Sequence, residues 1–187
     1  MRVRNAAPVR RANVRRMSQH AKGTRQHTIG APLRGRGILV EREHDPYRDR
    51  RKPAEPSACP DCGAVFHDGS WRWLAAPPDA QPQMCPACRR VRDRFPAGFL
   101  TLEGEFFRDH RAEVMGLVQS HARHVREEHP LQRLMDIEDR DDGSCLVTTT
   151  DVHLARGLGE AVHHAWRGDL AFHYEQGQTL LRVRWRR

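Results

Sequence analysis

Two Cys-x-x-Cys pairs, Cys59-Pro60-Asp61-Cys62 and Cys85-Pro86-Ala87-Cys88, constrain this chain more than any other feature. Two residues between cysteines let both thiolates of a pair reach one metal ion through a tight turn, and the proline after each first cysteine preforms that turn. Gly63 directly follows the first pair, where backbone amides must point at sulfur. Two such knuckles supply the closed, tetrahedral four-sulfur shell of structural zinc. The 22 residues between Cys62 and Cys85 slightly exceed the usual spacing, and a hairpin with a loop around Pro77, Pro78 and Pro82 absorbs the excess. The stretch Gly63-Ala64-Val65-Phe66 reads as a strand. Trp71 and Trp73, two apart on another strand, shield the metal from one side. His67 is a spare ligand that four cysteines make unnecessary. Tetrahedral sulfur suits iron as well as zinc. A redox Cys-x-x-Cys needs only one pair, normally opening a helix, and fits less well.

The fifth cysteine, Cys145, alternates with Val147 and reads as a small buried thiol. An odd cysteine count argues against a disulfide framework and makes reducing cytosol the natural compartment. No run of about 18 apolar residues is present to span a membrane.

Charge is distributed unevenly over the 187 residues. Residues 1–56 hold 15 Lys or Arg against 5 Asp or Glu, while residues 57–187 hold 17 against 19. The net charge of +8 therefore originates in the N-terminal stretch. That stretch has isolated apolar residues broken by Gly30, Pro32, Gly35 and Gly37, and reads as a disordered basic tail. It closes on Arg48, Arg50, Arg51 and Lys52. A basic tail favours a polyanionic partner, nucleic acid first. The near-absence of lysine other than Lys22 and Lys52 also fits a simple compositional bias.

Residues 57–98 form the cysteine module and residues 99–187 a compact domain. Phe99 to Leu102 reads as a strand. Glu105 to His129 reads as one helix, with Phe107, Val114, Leu117, Val118 and Val125 on its apolar face, stopped by Pro130. Leu131, Met135 and Ile137 suggest a strand, Asp141-Asp142-Gly143 a turn, and Ser144 to Thr149 the returning strand. Thr150 or Asp151 caps a second helix running to Arg167, with Gly168 as its stop. Gly157 and Gly159 inside that helix imply close packing. Leu170, Phe172 and Tyr174, then Leu181, Val183 and Trp185, alternate as two strands around Gly177. The fold class is α+β: a four-cysteine module, then a ferredoxin-like βαββαβ(β) domain with both helices on one face of an antiparallel sheet.

Enzymatic motifs are lacking. The chain has no nucleophile elbow, phosphate loop or dinucleotide fingerprint. His121, His124, His129, His153, His163 and His164 form no zinc-protease motif, and the acidic residues from Glu138 to Asp142 cluster at a hairpin. The aromatic motif of RNA-recognition domains is missing too. The remaining basic candidates for phosphate contact are Arg89, Arg90, Arg92 and Arg94 after the second cysteine pair, and Arg182 and Arg184 on the outward row of the last strand.

The two cysteine pairs, His129-Pro130-Leu131, the stretch Thr148-Thr149-Thr150-Asp151-Val152-His153-Leu154-Ala155-Arg156, and Arg182-Val183-Arg184-Trp185 together resemble short bacterial relatives of the Nmd family. Its better-known members are export adaptors of the large ribosomal subunit. The resemblance covers roughly residues 45–187. It implies a zinc-containing protein that associates with the ribosome or its RNA. The chain departs from the larger members in having one set of four cysteines and no export signals. A protein-interaction module supported by zinc and a DNA-binding regulator are the alternative readings.

Overall fold

The computed structural model describes residues 45–47, 52–175 and 179–187. Most of the basic tail, including Arg48, Arg50 and Arg51, lies outside the described residues.

The cysteine module is built on a small mixed sheet. Its strands are β1 (Ser57–Ala58), β2 (Val65–His67), β3 (Ser70–Arg72) and β4 (Gln81–Pro82), in spatial order β3-β2-β1-β4. β2 and β3 form an antiparallel hairpin, and β4 returns parallel to β1. The Pro-rich segment is the return loop, with a turn closed by the Ala80 amide on the Pro77 carbonyl, 3.0 Å. Helix α1 (Pro86–Asp93) starts inside the second cysteine pair with Pro86 in its first turn, where the missing amide hydrogen costs nothing. It ends on Arg94 in the left-handed region, φ 52°.

Asp45 and Tyr47, expected in the tail, make contacts with the cysteine module. Asp45 pairs with the Arg90 guanidinium, and the Tyr47 ring stacks on Phe95 at 5.6 Å while its hydroxyl donates to Asp93 at 2.8 Å. Residues assigned to the tail thus pack on α1.

The second sheet is the larger one. It contains β5 (Gly98–Glu103), β6 (Leu134–Asp139), β7 (Cys145–Thr149), β8 (Asp169–Tyr174) and β9 (Leu181–Arg186), in order β6-β7-β5-β9-β8. Element types follow the sequence expectation closely, but the order departs from the ferredoxin-like arrangement. There the sixth element would lie antiparallel beside the first strand. Here β9 takes that position, parallel to β5, and β8 is displaced to the edge. The sheet is therefore mixed rather than antiparallel. The reason lies in burial: Leu181, Val183 and Trp185 of β9 are fully buried, whereas β8 is exposed at most positions.

The long helix expected over residues 105–129 is broken in two, α2 (Glu105–Asp109) and α3 (Arg111–Glu128). His110 sits between them with φ −116°, its ring stacked on Phe106 at 4.0 Å. Leu131, expected in a strand, instead packs against the cysteine cluster. Helix α4 (Val152–Trp166) is capped by Asp151, whose carboxylate accepts from the His153 amide at 2.8 Å and the Leu154 amide at 3.3 Å.

The main core lies between this sheet and α2, α3 and α4. Leu100, Leu102, Phe107, Val114, Val118, Val147, Leu154, Leu158, Val162, Leu181, Val183 and Trp185 are its large, fully enclosed members. Each such side chain contributes about 1.5–3 kcal/mol by leaving water. Trp185 satisfies its indole N–H on the Arg167 carbonyl, 2.6 Å. Gly159 is where α4 comes closest to the sheet: a Cβ there would lie 2.5 Å from Val183 Cγ1. Gly157 shows no such crowding, its nearest neighbour being His121 Nε2 at 3.6 Å. Cys145 is buried in this core, and burial pushes its thiol up to about 11.

Candidate metal centre

The first cysteine pair occupies the turn leading into β2. The Gly63 amide donates to the Cys59 carbonyl at 2.9 Å and the Cys59 amide to the Ala64 carbonyl at 2.8 Å. Gly63 carries this turn at φ +77°, a conformation that side chains disfavour. The second pair straddles the start of α1. Cys85 is the helix N-cap, its Sγ accepting from the Cys88 amide at 3.4 Å, while the Cys85 amide points at Cys59 Sγ at 3.3 Å. Amides aimed at sulfur are what a thiolate cluster requires.

These two turns bring all four Sγ atoms within 4.8 Å of one another. Cys62 and Cys85 are 3.8 Å apart, which matches the edge of about 3.8 Å expected when metal–sulfur bonds are about 2.3 Å and tetrahedral. The four cysteines could therefore coordinate one metal ion. Cys59, Cys85 and Cys88 are buried and Cys62 is half-buried. Phe66, Trp71 and Ala87 close the cluster, with Trp73, Met84 and Leu131 at its border. The two tryptophans differ from the expected pair on one strand: Trp71 lies in β3 and packs on Phe66 at 5.6 Å, whereas Trp73 follows β3 and anchors its indole N–H on the Arg126 carbonyl at 2.6 Å.

Sequence reasoning missed Arg133. It sits just before β6, is 9 % exposed, and reaches across to the module. Its Nη1 donates to Cys88 Sγ at 3.3 Å, and its Nη2 lies 3.1 Å from Cys62 Sγ and 3.7 Å from Cys85 Sγ. Its Nε is fixed by the Pro130 carbonyl and its amide by Thr150 Oγ1 at 2.9 Å, while the guanidinium lies 5.7 Å from the Trp73 ring centre. A planar, permanently charged fork suits this task, because its Nε holds the Pro130 carbonyl while its two terminal nitrogens face the sulfurs.

The thiols differ accordingly. Burial pushes Cys88 up to about 11 and Cys85 above even the ordinary thiol range. At Cys62 burial acts in the same direction but is outweighed by the Ala64 backbone and the Arg133 guanidinium, which bring it down to about 7.

The basic candidates fare unevenly. Arg90 is 3 % exposed and committed to Asp45, to the Phe95 carbonyl at 3.1 Å and to the Tyr47 ring at 4.5 Å, so it is an internal brace and not a surface contact. Arg89 donates to the Tyr47 carbonyl at 3.4 Å. Arg92 is exposed and 3.5 Å from Asp61; Arg94 is exposed at the end of α1. Lys52 is exposed and 3.6 Å from Glu55. Arg182 and Arg184 do form an outward row, yet Glu175 holds the first at 2.6 Å and Glu103 the second at 2.6 Å.

Among the described residues the histidines do not assemble into a metal-ligating group. His67 is exposed beside Asp68, and His124 beside Glu127. Among the described residues, the four cysteines are the one group placed to hold a metal. The acidic hairpin is exposed, with Asp139 bound by Arg111 at 2.6 Å and Asp142 fastening Ser144. Among the described residues no helix is long and apolar enough to cross a membrane. No protein-family model, curated protein or solved structure matches this chain.

Proposed function

We propose that the four cysteines hold one structural zinc ion, and that the protein is a non-enzymatic adaptor associating with ribosomal RNA or the large ribosomal subunit in the cytoplasm. The observation that carries the zinc reading is the closed set of four sulfurs with the Arg133 guanidinium against them. Zinc bound there supplies a cross-link between the two knuckles. Protein sulfur fills all four positions, leaving none for a substrate. Four thiolates around a divalent ion carry a net charge of −2, and Arg133 offsets half of it within the protein. Zinc suits this donor set better than a hard cation, which prefers oxygen.

Support for the RNA reading comes from the basic stretch at residues 1–56 and the resemblance to short Nmd-family relatives. Arg92 and Arg94 on α1 and Arg182 and Arg184 on the sheet would add contacts, and the zinc would act only by holding α1 in place. Co-sedimentation with ribosomes over a salt series tests this. Binding at low salt that weakens steeply as salt rises is expected, because phosphate contacts release counterions. Absence from ribosomal fractions at low salt would sink the reading.

One observation favours a protein partner instead: Arg182 and Arg184 are already neutralised by Glu175 and Glu103. Removing residues 1–44, which leaves the Asp45 and Tyr47 contacts intact, separates the two readings. RNA affinity unchanged by the truncation would favour the protein-interaction reading.

A further inference from the structure

The second sheet ends in two unlike edges. β6 is guarded: its ladder with β7 is irregular between Leu134 and Asp136, and it carries Asp136, Glu138 and Asp139. Bulges and charges are the usual devices against strand addition. β8 has neither device. It pairs with β9 without a break from Asp169 to Tyr174, contains no proline or lysine, and carries a single acidic residue at its start. Among the described residues nothing pairs with its outer side. Two large side chains stand exposed on it, Phe172 at 38 % and Tyr174 at 54 %.

Cross-strand partners fix which way each residue faces. Leu170, Phe172 and Tyr174 lie opposite Trp185, Val183 and Leu181, and so share the helix-covered side. Asp169, Ala171 and His173 lie opposite the arginines of β9, on the open side. An added antiparallel strand keeps the sheet continuous only if residues of like facing meet.

The geometry points to β8 as the seam of a two-fold dimer with a second copy of this chain, centred on Ala171. In that register Leu170 meets Phe172 of the second copy on the helix side, and Asp169 meets His173 of the second copy on the open side. Symmetry makes each contact twice. Tyr174 falls opposite Gly168, which has no side chain to exclude its ring. Centring on Phe172 also preserves facing but sets His173 against Ala171 and Asp169 against Glu175, which Arg182 already engages, so neither charged residue gains a partner. The Ala171 register is self-complementary, and this identifies a second copy as the occupant over an unrelated peptide.

Analytical ultracentrifugation of the full, metal-loaded chain decides the matter. A dimer is expected for the unaltered protein. Phe172→Lys puts a charge at the seam and should raise the dimer dissociation constant by about 30-fold or more, as loss of a central interface side chain does. Glu138→Lys on the opposite edge should leave it unchanged. His173→Asp should also weaken the dimer, and the exchanged pair Asp169→His with His173→Asp should restore it, because each contact is merely reversed. A monomer at high micromolar concentration overturns the proposal, as does a dimer indifferent to Phe172→Lys. Should Phe172→Lys lose its fold by circular dichroism, the exchanged pair decides alone: rescue supports the seam and failure to rescue overturns it.

Discussion

The strands of the cysteine module contribute two or three residues each, whereas each strand of the second sheet contributes five or six. The second sheet buries a continuous apolar layer under α2, α3 and α4. The module has little such layer; cysteines make up much of its buried cluster. Small assemblies that cannot bury enough apolar surface need a staple. The comparison teaches that one region coheres by hydrophobic burial, whereas the other, on the zinc reading proposed above, coheres through its four cysteines. Arg133 is where they meet: its backbone belongs to the approach to β6 and its guanidinium to the sulfurs.

The strongest test of this contrast is Cys85→Ser. Structural zinc sites supply roughly 10–16 kcal/mol of folding free energy in small peptides, so the module should lose its metal and its order together. Elemental analysis should find no bound metal, and limited proteolysis should cut within residues 57–97 while the second sheet stays resistant. Concerted loss of both regions would abolish the distinction. Leu158→Ala attacks the other side. The residue is fully buried, and truncation should destabilise the second sheet by about 3–4 kcal/mol in denaturant unfolding, with metal content retained. Arg133→Met probes the junction. It keeps bulk but removes the donors to three sulfurs, and should cost about 3 kcal/mol, the range for breaking a buried charge pair. Metal transfer to a competing chelator should quicken. Arg133→Lys should restore only part of this, since one ammonium nitrogen cannot hold the Pro130 carbonyl and face the sulfurs at once as the guanidinium does.

How legible each feature was in the sequence follows from its range. Both knuckles are local: cysteines two residues apart, a proline and a glycine specify each one, so the ligand set could be read directly. Helices α3 and α4 and the strands around them were legible through periodicity, and Asp151 through its position before α4. The break at His110 was not, because it depends on a ring stacking on Phe106 rather than on a helix-breaking residue. Arg133 had no signature either; its partners lie between Cys62 and Cys88, and no spacing rule connects them. The strand order was hidden for a similar reason. β8 and β9 both alternate apolar residues, and only competition for the place beside β5 separates a core strand from an edge. Arg90 shows the opposite error, since a residue in a basic run reads as surface until Asp45 and Tyr47 are seen enclosing it.

The insertion of β9 between β5 and β8 has a consequence for the order of events in folding. Leu100 is made early and its neighbour Val183 late, yet they are adjacent in the finished sheet. Until β9 is available, the edge of β5 away from β7 is open, and β8 lacks its final neighbour. A β6-β7-β5 sheet under α3 would leave the backbone N–H and C=O groups along one edge of β5 unpaired until β9 is made. Pairing across so long a stretch of chain is slow, so closure of the sheet is a late step.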